Sequence, residues 1–297
     1  MTLTERDQVL LRLVADYGML STEQAYRLCF PSVSRTRKRL RLLWQHGFIK
    51  RNVRPVRMGE GSSALLYTLR RKGQAALSRD SDDPSTEVSR IRKSLGEHAL
   101  KINDFRAALT LAIRRTEGLR LHTWGQGREF RFSATVSGPH GSKLVPIVPD
   151  AFFIVEGAGR DFSYFLEIDR GTTDYGRIRA KLEGYSNLWQ SRVASSQLGI
   201  RSFRVLYVTT TEKRLQKMLA VLQSLKSVTM RADIFSLTCF ERHSPSQPGQ
   251  VLKPIWQSIN PTTGSLRALS PFPSSIPSTL PIAPGKPPVS EPEARAS

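Results

Sequence analysis

The chain of 297 residues has little cysteine and no long apolar run. Its two cysteines, Cys29 and Cys239, lie far apart in apolar surroundings, which excludes a disulfide framework and a cysteine-based zinc site. No stretch of about 18 consecutive apolar residues occurs, so we expect no membrane-spanning helix and no membrane partner. Residues Met1–Asp7 have neither the basic nor the apolar region of a signal peptide. We therefore expect a cytoplasmic protein with reduced thiols.

Acidic residues are also scarce. The chain has 25 Asp and Glu against 45 Lys and Arg, a formal net charge of +20. Residues 1–79 contain 16 basic and 5 acidic residues and so carry +11 of this excess. From Gln24 to Gly59 there are ten basic residues and no acidic one. Because protein surfaces normally mix both signs, this segment predicts a polyanionic partner.

Proline and polar runs divide the chain. Of its 18 prolines, 12 lie between Pro245 and Pro292, in a segment rich in Ser and Thr. Such a composition buries too little apolar surface to offset ordering entropy, so we predict a mostly disordered tail in which Trp256 and Ile259 form a short docked segment. The polar run at residues 79–86 marks an earlier break. The predicted parts are residues 1–79, residues 87–240 and a Pro/Ser-rich tail of residues 245–297.

The first part has the element order of a winged helix-turn-helix domain. The apolar spacing between Val9 and Tyr17 predicts a first helix, and Ser21 is a suitable N-cap for the second. Two extended segments then flank the polar Gly59–Ser63 turn, which predicts a hairpin. Three helices followed by a hairpin is the order of that DNA-binding fold. The predicted helices cover residues 9–17, 22–29, 34–46 and 72–77, and the predicted strands cover 48–57 and 64–69.

The third of these helices has an apolar side and a basic side. Val33, Leu40 and Trp44 lie on the first, and Arg35 and Lys38 lie opposite. We interpret the basic side and the hairpin as an interface for double-stranded DNA, because Arg and Lys contact guanine edges and phosphates. The alternative is a solvated basic face on an ordinary helical domain. The candidate DNA-binding residues are Arg35, Arg37, Lys38, Arg39, Arg41, Lys50, Arg51, Arg54 and Arg57.

The second part alternates helices and extended segments, which predicts a mixed α/β domain. The anomaly lies in its acids: Asp150 interrupts an apolar segment, and Glu167 and Asp169 end another on the same face. Buried carboxylates are costly unless they are paired or bind a metal, and hard cations prefer carboxylate oxygens. A Mg²⁺ or Mn²⁺ site at these strand ends is one interpretation. The other is pairing with Arg170, Arg177 or Arg179. The predicted helices cover residues 87–115, 174–190 and 212–225, and the extended segments cover 119–124, 129–136, 144–155, 162–169, 203–209 and 233–238.

Pro149-Asp150 in one strand and Glu167-Ile-Asp169 in the next resemble the PD-(D/E)xK nuclease superfamily. More narrowly, the chain resembles the replication-relaxation family of plasmid and mobile-element proteins over about residues 5–240. The matching motifs are EHALKINDF at residues 97–105, VPDAF at 148–152, LEIDRGT at 166–172 and KLEGY at 181–185.

This resemblance implies a DNA-binding protein that acts in replication, relaxation or mobilisation of mobile DNA, together with other replication or mobilisation proteins. It also implies a nuclease-like domain with Asp150 and Glu167 as ligands of Mg²⁺ or Mn²⁺. In the nuclease pattern a lysine follows the second acid by two positions, where this chain has Asp169. Lys181 from the next helix can replace that lysine, or it is a surface lysine with a buried stem. The candidate catalytic residues are therefore Asp150, Glu167, Asp169 and Lys181.

His98 precedes Ile102 by four residues and so joins the apolar side of its helix. It is either a core histidine with satisfied hydrogen bonds or a residue beside the carboxylates. For the whole chain, three functions stay open: a DNA-binding protein with a nuclease-like domain, an active metal-dependent endonuclease or nickase, and a transcriptional repressor whose second domain binds a partner.

Overall fold

A computed structural model describes residues 1–53, 65–78, 96–127, 130–138, 141–223, 232–259 and 266–269. Within these ranges the protein is a mixed α/β structure with eight α-helices and sheets of three, seven and two strands. This architecture confirms the predicted α/β class. None of the helices in the described ranges combines the length and the apolar character needed to cross a bilayer.

The N-terminal elements follow the predicted order. Three helices precede the strand pair β2 (Ile49–Val53) and β3 (Leu65–Leu69), which is antiparallel. A two-residue strand, β1 (Leu20–Ser21), lies between the first and second helices and also pairs antiparallel with β3. The side chains of Thr4, Ser21 and Ser32 cap the three helices by accepting backbone N–H groups, which fixes where each helix begins. The segment between β2 and β3, with Arg54 and Arg57, lies outside the described residues. The elements are α1 (Glu5–Asp16), β1 (Leu20–Ser21), α2 (Thr22–Cys29), α3 (Val33–Gln45), β2 (Ile49–Val53), β3 (Leu65–Leu69) and α4 (Arg71–Ser78).

Helix α5 (Glu97–Arg114) belongs to two cores at once. Ala107 and Leu111 pack among the N-terminal helices, whereas Phe105 packs against the large sheet. On the N-terminal side the buried Asn103 donates from Nδ2 to the carbonyl oxygens of Tyr17, at 3.1 Å, and Met19, at 2.8 Å. The predicted start of this helix, at Glu87, lies outside the described residues. α5 therefore joins the DNA-binding candidate region to the carboxylate-bearing sheet.

The seven-stranded sheet has the order β12-β11-β10-β9-β8-β7-β4. Its central strands β8, β9 and β10 are parallel, and the other neighbours are antiparallel. α5 covers one face, whereas α6, α8 and the β5–β6 pair cover the other. The remaining elements are β4 (Leu119–Gly125), β5 (Phe132–Gly138), β6 (Gly141–Ile147), β7 (Ala151–Gly157), β8 (Arg160–Ile168), α6 (Tyr175–Ser191), α7 (Val193–Leu198), β9 (Arg204–Thr209), α8 (Glu212–Gln223), β10 (Phe235–Cys239), β11 (Trp256–Gln257) and β12 (Leu266–Arg267).

The prediction of one extended segment over residues 144–155 is wrong. The chain breaks between β6, which pairs with β5, and β7, which joins the large sheet. β6 ends at Ile147, and Pro149, between the two strands, has no N–H group to donate to a continuous ladder. The N–H group of Asp150 then donates to the carbonyl oxygen of Leu166 at 2.9 Å. Asp150 thus lies at the start of β7, beside the end of β8.

The prediction of a mostly disordered tail from residue 245 is wrong for residues 245–259 and 266–269. β11 pairs antiparallel with β10, and Trp256 is fully buried, with its Nε1 donating to the carbonyl oxygen of Val251 at 2.9 Å. Ile259 is buried as well, so the predicted docking of Trp256 and Ile259 is confirmed. A few large apolar side chains offset the ordering entropy of this segment, although its average composition is poor in them.

Candidate functional site

Asp150 joins the first turn of α5 to the end of β8. Its Oδ2 accepts the backbone N–H of Ile168 at 2.7 Å, and its Oδ1 lies 2.8 Å from Nε2 of His98. His98 therefore lies beside the carboxylates, and the alternative of an ordinary core histidine is wrong. The hydrogen bond with Asp150 raises the pKa of His98, although burial opposes this shift. Positive charge on His98 is thus favoured next to a carboxylate.

Glu167 is buried, at 3% exposure, and both of its carboxylate oxygens have partners. Nζ of Lys181 lies 2.5 Å from Oε2, and the hydroxyl of Tyr185 donates to Oε1 at 2.5 Å. Lys181 and Tyr185 are four residues apart on α6, so they project from the same side of the helix. The amine of Lys181 reaches the carboxylate of Glu167, so the alternative interpretation of Lys181 as a surface lysine with a buried stem is wrong.

Glu167, Lys181, Tyr185, Asp150 and His98 form a carboxylate cluster. Burial has the largest single effect on the pKa values of Glu167, Lys181 and Tyr185. It raises the pKa of Glu167 to about 7, with the Lys181 charge opposing and the Asp150 charge reinforcing the shift. Burial lowers the pKa of Lys181, but the two carboxylates outweigh it and hold that pKa above its usual value. Burial and the neighbouring Glu167 raise the pKa of Tyr185, so its hydroxyl keeps its proton and donates. Lys181 therefore stays cationic while Glu167 titrates near neutrality.

Asp169 belongs to a different set of contacts. Arg214 from α8 donates to it from Nε at 2.5 Å and from Nη2 at 3.1 Å, and the hydroxyl of Thr209 donates at 2.7 Å. Burial raises the pKa of Asp169, but Arg214 and Thr209 outweigh it and the net shift is downward. The prediction that Arg170, Arg177 or Arg179 pairs with Asp150, Glu167 or Asp169 is wrong for the described residues, because these acids pair with His98, Lys181 and Arg214. Arg170 instead lies 3.8 Å from Glu97. Pairing through Arg214 was not predictable because α8 lies 45 residues further along the chain.

The described residues do not present a preformed cation site. No group of three or more His, Cys, Asp and Glu side chains in the described ranges is arranged to hold a metal ion. The four oxygens of Asp150 and Glu167 already accept hydrogen bonds from His98, the Ile168 N–H, Lys181 and Tyr185. A divalent cation shared by these carboxylates would have to compete with the Lys181 ammonium group for Glu167.

The second candidate region is the outward side of α3. Thr36, Leu40 and Leu43 are buried, as the helical pattern predicts. No acidic side chain in the described part of the chain pairs with the exposed basic residues of this helix. Arg51 on β2 is also exposed, and its guanidinium carbon lies 3.9 Å from the ring centroid of Trp44. The exposed basic residues here are Arg35, Arg37, Lys38, Arg41, Lys50 and Arg51.

Arg39 is the exception among the candidate DNA-binding residues. Its guanidinium group forms an ion pair with the buried carboxylate of Asp7 in α1. The helical pattern shows only that Arg39 flanks the basic side, and Asp7 lies 32 residues earlier. Arg39 therefore fixes α3 against α1 and is not available to a ligand in the way that Lys38 is.

The family model for replication-relaxation proteins matches residues 11–202, more than half of the chain. The chain therefore belongs to the replication-relaxation family, and the match includes both the basic helix and the carboxylate cluster. Membership points to a role in plasmid or mobile-element replication or relaxation. No curated protein and no solved structure gives a significant match.

Proposed function

We propose that the protein binds double-stranded DNA through the outward side of α3 and the neighbouring strand β2, and that this binding serves a role in plasmid or mobile-element replication or relaxation. One observation carries the proposal: Arg35, Arg37, Lys38 and Arg41 are exposed on one helix, with no acidic partner in the described ranges. Unpaired like charges repel each other and are stabilised by a polyanion.

The packing around α3 suits recognition of a duplex. Three helices followed by the β2–β3 pair fit a winged helix-turn-helix domain, in which such a helix enters the major groove. The buried side of α3 and the Arg39–Asp7 ion pair fix the helix on its support. The backbone that carries its exposed cations is therefore already ordered, which lowers the entropic cost of binding.

Fluorescence anisotropy with a labelled duplex tests this proposal. Combined Arg35→Ala, Lys38→Ala and Arg41→Ala should weaken binding by about tenfold or more at moderate salt, and wild-type affinity should fall steeply as salt increases. The matched control is Arg115→Ala, Arg160→Ala and Arg201→Ala, which removes the same charge from exposed positions elsewhere. Equal affinities of the wild type and the α3 variant, with both folded by circular dichroism, would contradict the proposal.

Metal-dependent DNA cleavage at the carboxylate cluster is the second candidate function. The observation that favours it is the 2.5 Å contact between Lys181 and Glu167. The nuclease pattern has a lysine two positions after the second acid, where this chain has Asp169, and the contact supplies a lysine from α6 instead. In a PD-(D/E)xK-like site, Mg²⁺ or Mn²⁺ would activate water. The hydrogen bonds that already engage Asp150 and Glu167 make DNA binding the better supported function.

Incubation with supercoiled plasmid, with and without Mg²⁺ or Mn²⁺, separates the two functions. Nicked or linear product with wild-type protein, and none with Glu167→Gln or Lys181→Ala, would support cleavage. Plasmid that stays supercoiled with either metal, on DNA carrying the protein's own site, would eliminate the nuclease and leave the DNA-binding proposal intact.

A further inference from the structure

A second basic surface lies at the start of α4. Arg70, Arg71 and Lys72 follow one another and are all exposed. No acidic residue occurs between Leu65 and Ser78, and no acid in the described part of the chain pairs with Arg70 or Arg71. The sequence pattern of the third helix gave no reason to include these residues in the DNA interface.

Lys72 holds this surface against the turn between α3 and β2. Its Nζ donates to the carbonyl oxygen of His46 at 2.9 Å and lies 4.7 Å from the ring centroid of Phe48. The close approach requires Gly73, because a Cβ there would lie 2.3 Å from the carbonyl oxygen of Phe48. Lys72 is therefore occupied in packing, whereas Arg70 and Arg71 have no acidic partner among the described residues.

Arg70 lies beside the C-terminal end of α3. A Cβ at Gly47, which follows that helix with a φ of +79°, would lie 3.9 Å from Nη1 of Arg70. α3 has 13 residues, so it spans about 20 Å at about 1.5 Å per residue. Its own exposed cations and Arg70 therefore extend over a length comparable to about six base pairs at about 3.4 Å each.

We propose that Arg70 and Arg71 bind backbone phosphates of the duplex that α3 contacts, at the end of the interface set by the C-terminus of α3. This inference rests on the proposed function of α3. The planar guanidinium group donates two parallel hydrogen bonds to phosphate oxygens, which fixes the position of the protein on the duplex without reading sequence. A purely structural role, in which these charges only stabilise the C-terminus of α3, is the competing explanation.

The salt dependence of binding tests the proposal. Removing two phosphate contacts with Arg70→Ala and Arg71→Ala should reduce the slope of log K against log salt by about 2, since each contact contributes about 0.9. Affinity should fall about tenfold at moderate salt, and Arg70→Lys with Arg71→Lys should retain most of the slope. The control pair, Arg160→Ala with Arg201→Ala, removes equal charge elsewhere and should leave the slope unchanged.

The outcomes separate this proposal from the function on which it rests. If wild-type protein binds and Arg70→Ala with Arg71→Ala keeps its slope, the α4 site is overturned and the α3 interface stands. A lower melting temperature with an unchanged slope would assign the two arginines to stability alone and would also overturn it. If wild-type protein fails to bind any duplex, both proposals fail together.

Discussion

Arg39 of α3 and Asp7 of α1 form a two-point ion pair in which the carboxylate is fully buried. The same carboxylate accepts the backbone N–H of Thr4 at 2.7 Å and its hydroxyl at 2.8 Å. One acid therefore caps α1 and attaches α3 to it. Arg39 is surrounded in sequence by exposed cations, but its contribution is to the fold.

Arg39→Ala should lower the free energy of unfolding by about 2–3 kcal/mol. This is below the roughly 3–5 kcal/mol typical of a broken buried ion pair, because Asp7 keeps its hydrogen bonds to Thr4. Lys38→Ala, at the adjacent exposed position, should change stability by less than about 0.5 kcal/mol. Urea denaturation of the three proteins checks this, and equal stabilities of the two variants would refute it.

The Glu167–Lys181 pair should show a coupling that depends on pH. Because the pKa of Glu167 is about 7, its carboxyl is protonated at pH 5 and ionised at pH 8.5 in the folded protein. Because the folded protein binds this proton more tightly than the unfolded chain does, the protonated carboxyl contributes stability that is complete below its unfolded pKa and is lost as pH rises through about 7. The attraction to Lys181 exists in full only above that pH.

A double-mutant cycle measures this coupling. Glu167→Gln, Lys181→Met and the double variant should give a coupling energy of roughly 1–3 kcal/mol at pH 8.5 and clearly less at pH 5. Glu167→Gln preserves a hydrogen-bond acceptor for Tyr185, so the cycle measures the contact between Glu167 and Lys181. A coupling energy that is the same at both pH values would show that Glu167 does not titrate between them.

His243 should make the protein sensitive to acid. It is 3% exposed, packs edge-on against Phe105, and neither ring nitrogen has a hydrogen-bond partner in the described structure. Burial, with a smaller contribution from Lys101, lowers its pKa to about 4. Because its unfolded pKa is near about 6.5, its contribution is complete above that pH and is lost as pH falls toward 4.

His243→Phe should therefore be more stable than wild type at pH 5 and should weaken the loss of stability below pH 6.5. The difference between their free energies of unfolding should grow by up to about 1.4 kcal/mol for each pH unit below that value. His98 has a raised pKa and acts in the opposite direction, so only the difference between variant and wild type isolates His243. His46→Gln, at an exposed position, is the control for the loss of an imidazole outside the core.

Trp256 should be a main support of the C-terminal segment. It is fully buried and packs edge-on against Phe105 of α5, with the two ring centroids 6.3 Å apart. Trp256→Ala should cost about 3–5 kcal/mol of unfolding free energy, in the range of large-to-small core substitutions. Gln257→Ala, one residue later and half-buried, should cost much less. Unchanged thermal stability of Trp256→Ala would mean that residues 245–259 fold without contributing to the core.

Local patterns predicted the helices well because their spacing and caps are encoded by neighbouring residues. The second helix has the predicted bounds, α3 and α6 are each shifted by one residue, and α8 begins at the predicted Glu212. The short helix α7 is not among the predicted helices. The basic side of α3 followed from its own helical period. The same period placed Lys181 one turn before Tyr185, at the edge of the buried side of α6, but left open whether its amine reaches Glu167.

The sequence alone therefore determined the α/β class, the positions of α2, α3 and α6, the exposed cations of α3 and the two neighbouring carboxylates Asp150 and Glu167. Only the tertiary structure decided which partner each charge has. Arg39 pairs with Asp7, Asp169 with Arg214 and Asp150 with His98, across 32, 45 and 52 residues of chain. Such pairs depend on how separate elements pack in space, and helical or strand periodicity carries information only about residues within one element. The same reason explains Trp256, whose burial depends on α5 and not on the proline-rich sequence around it.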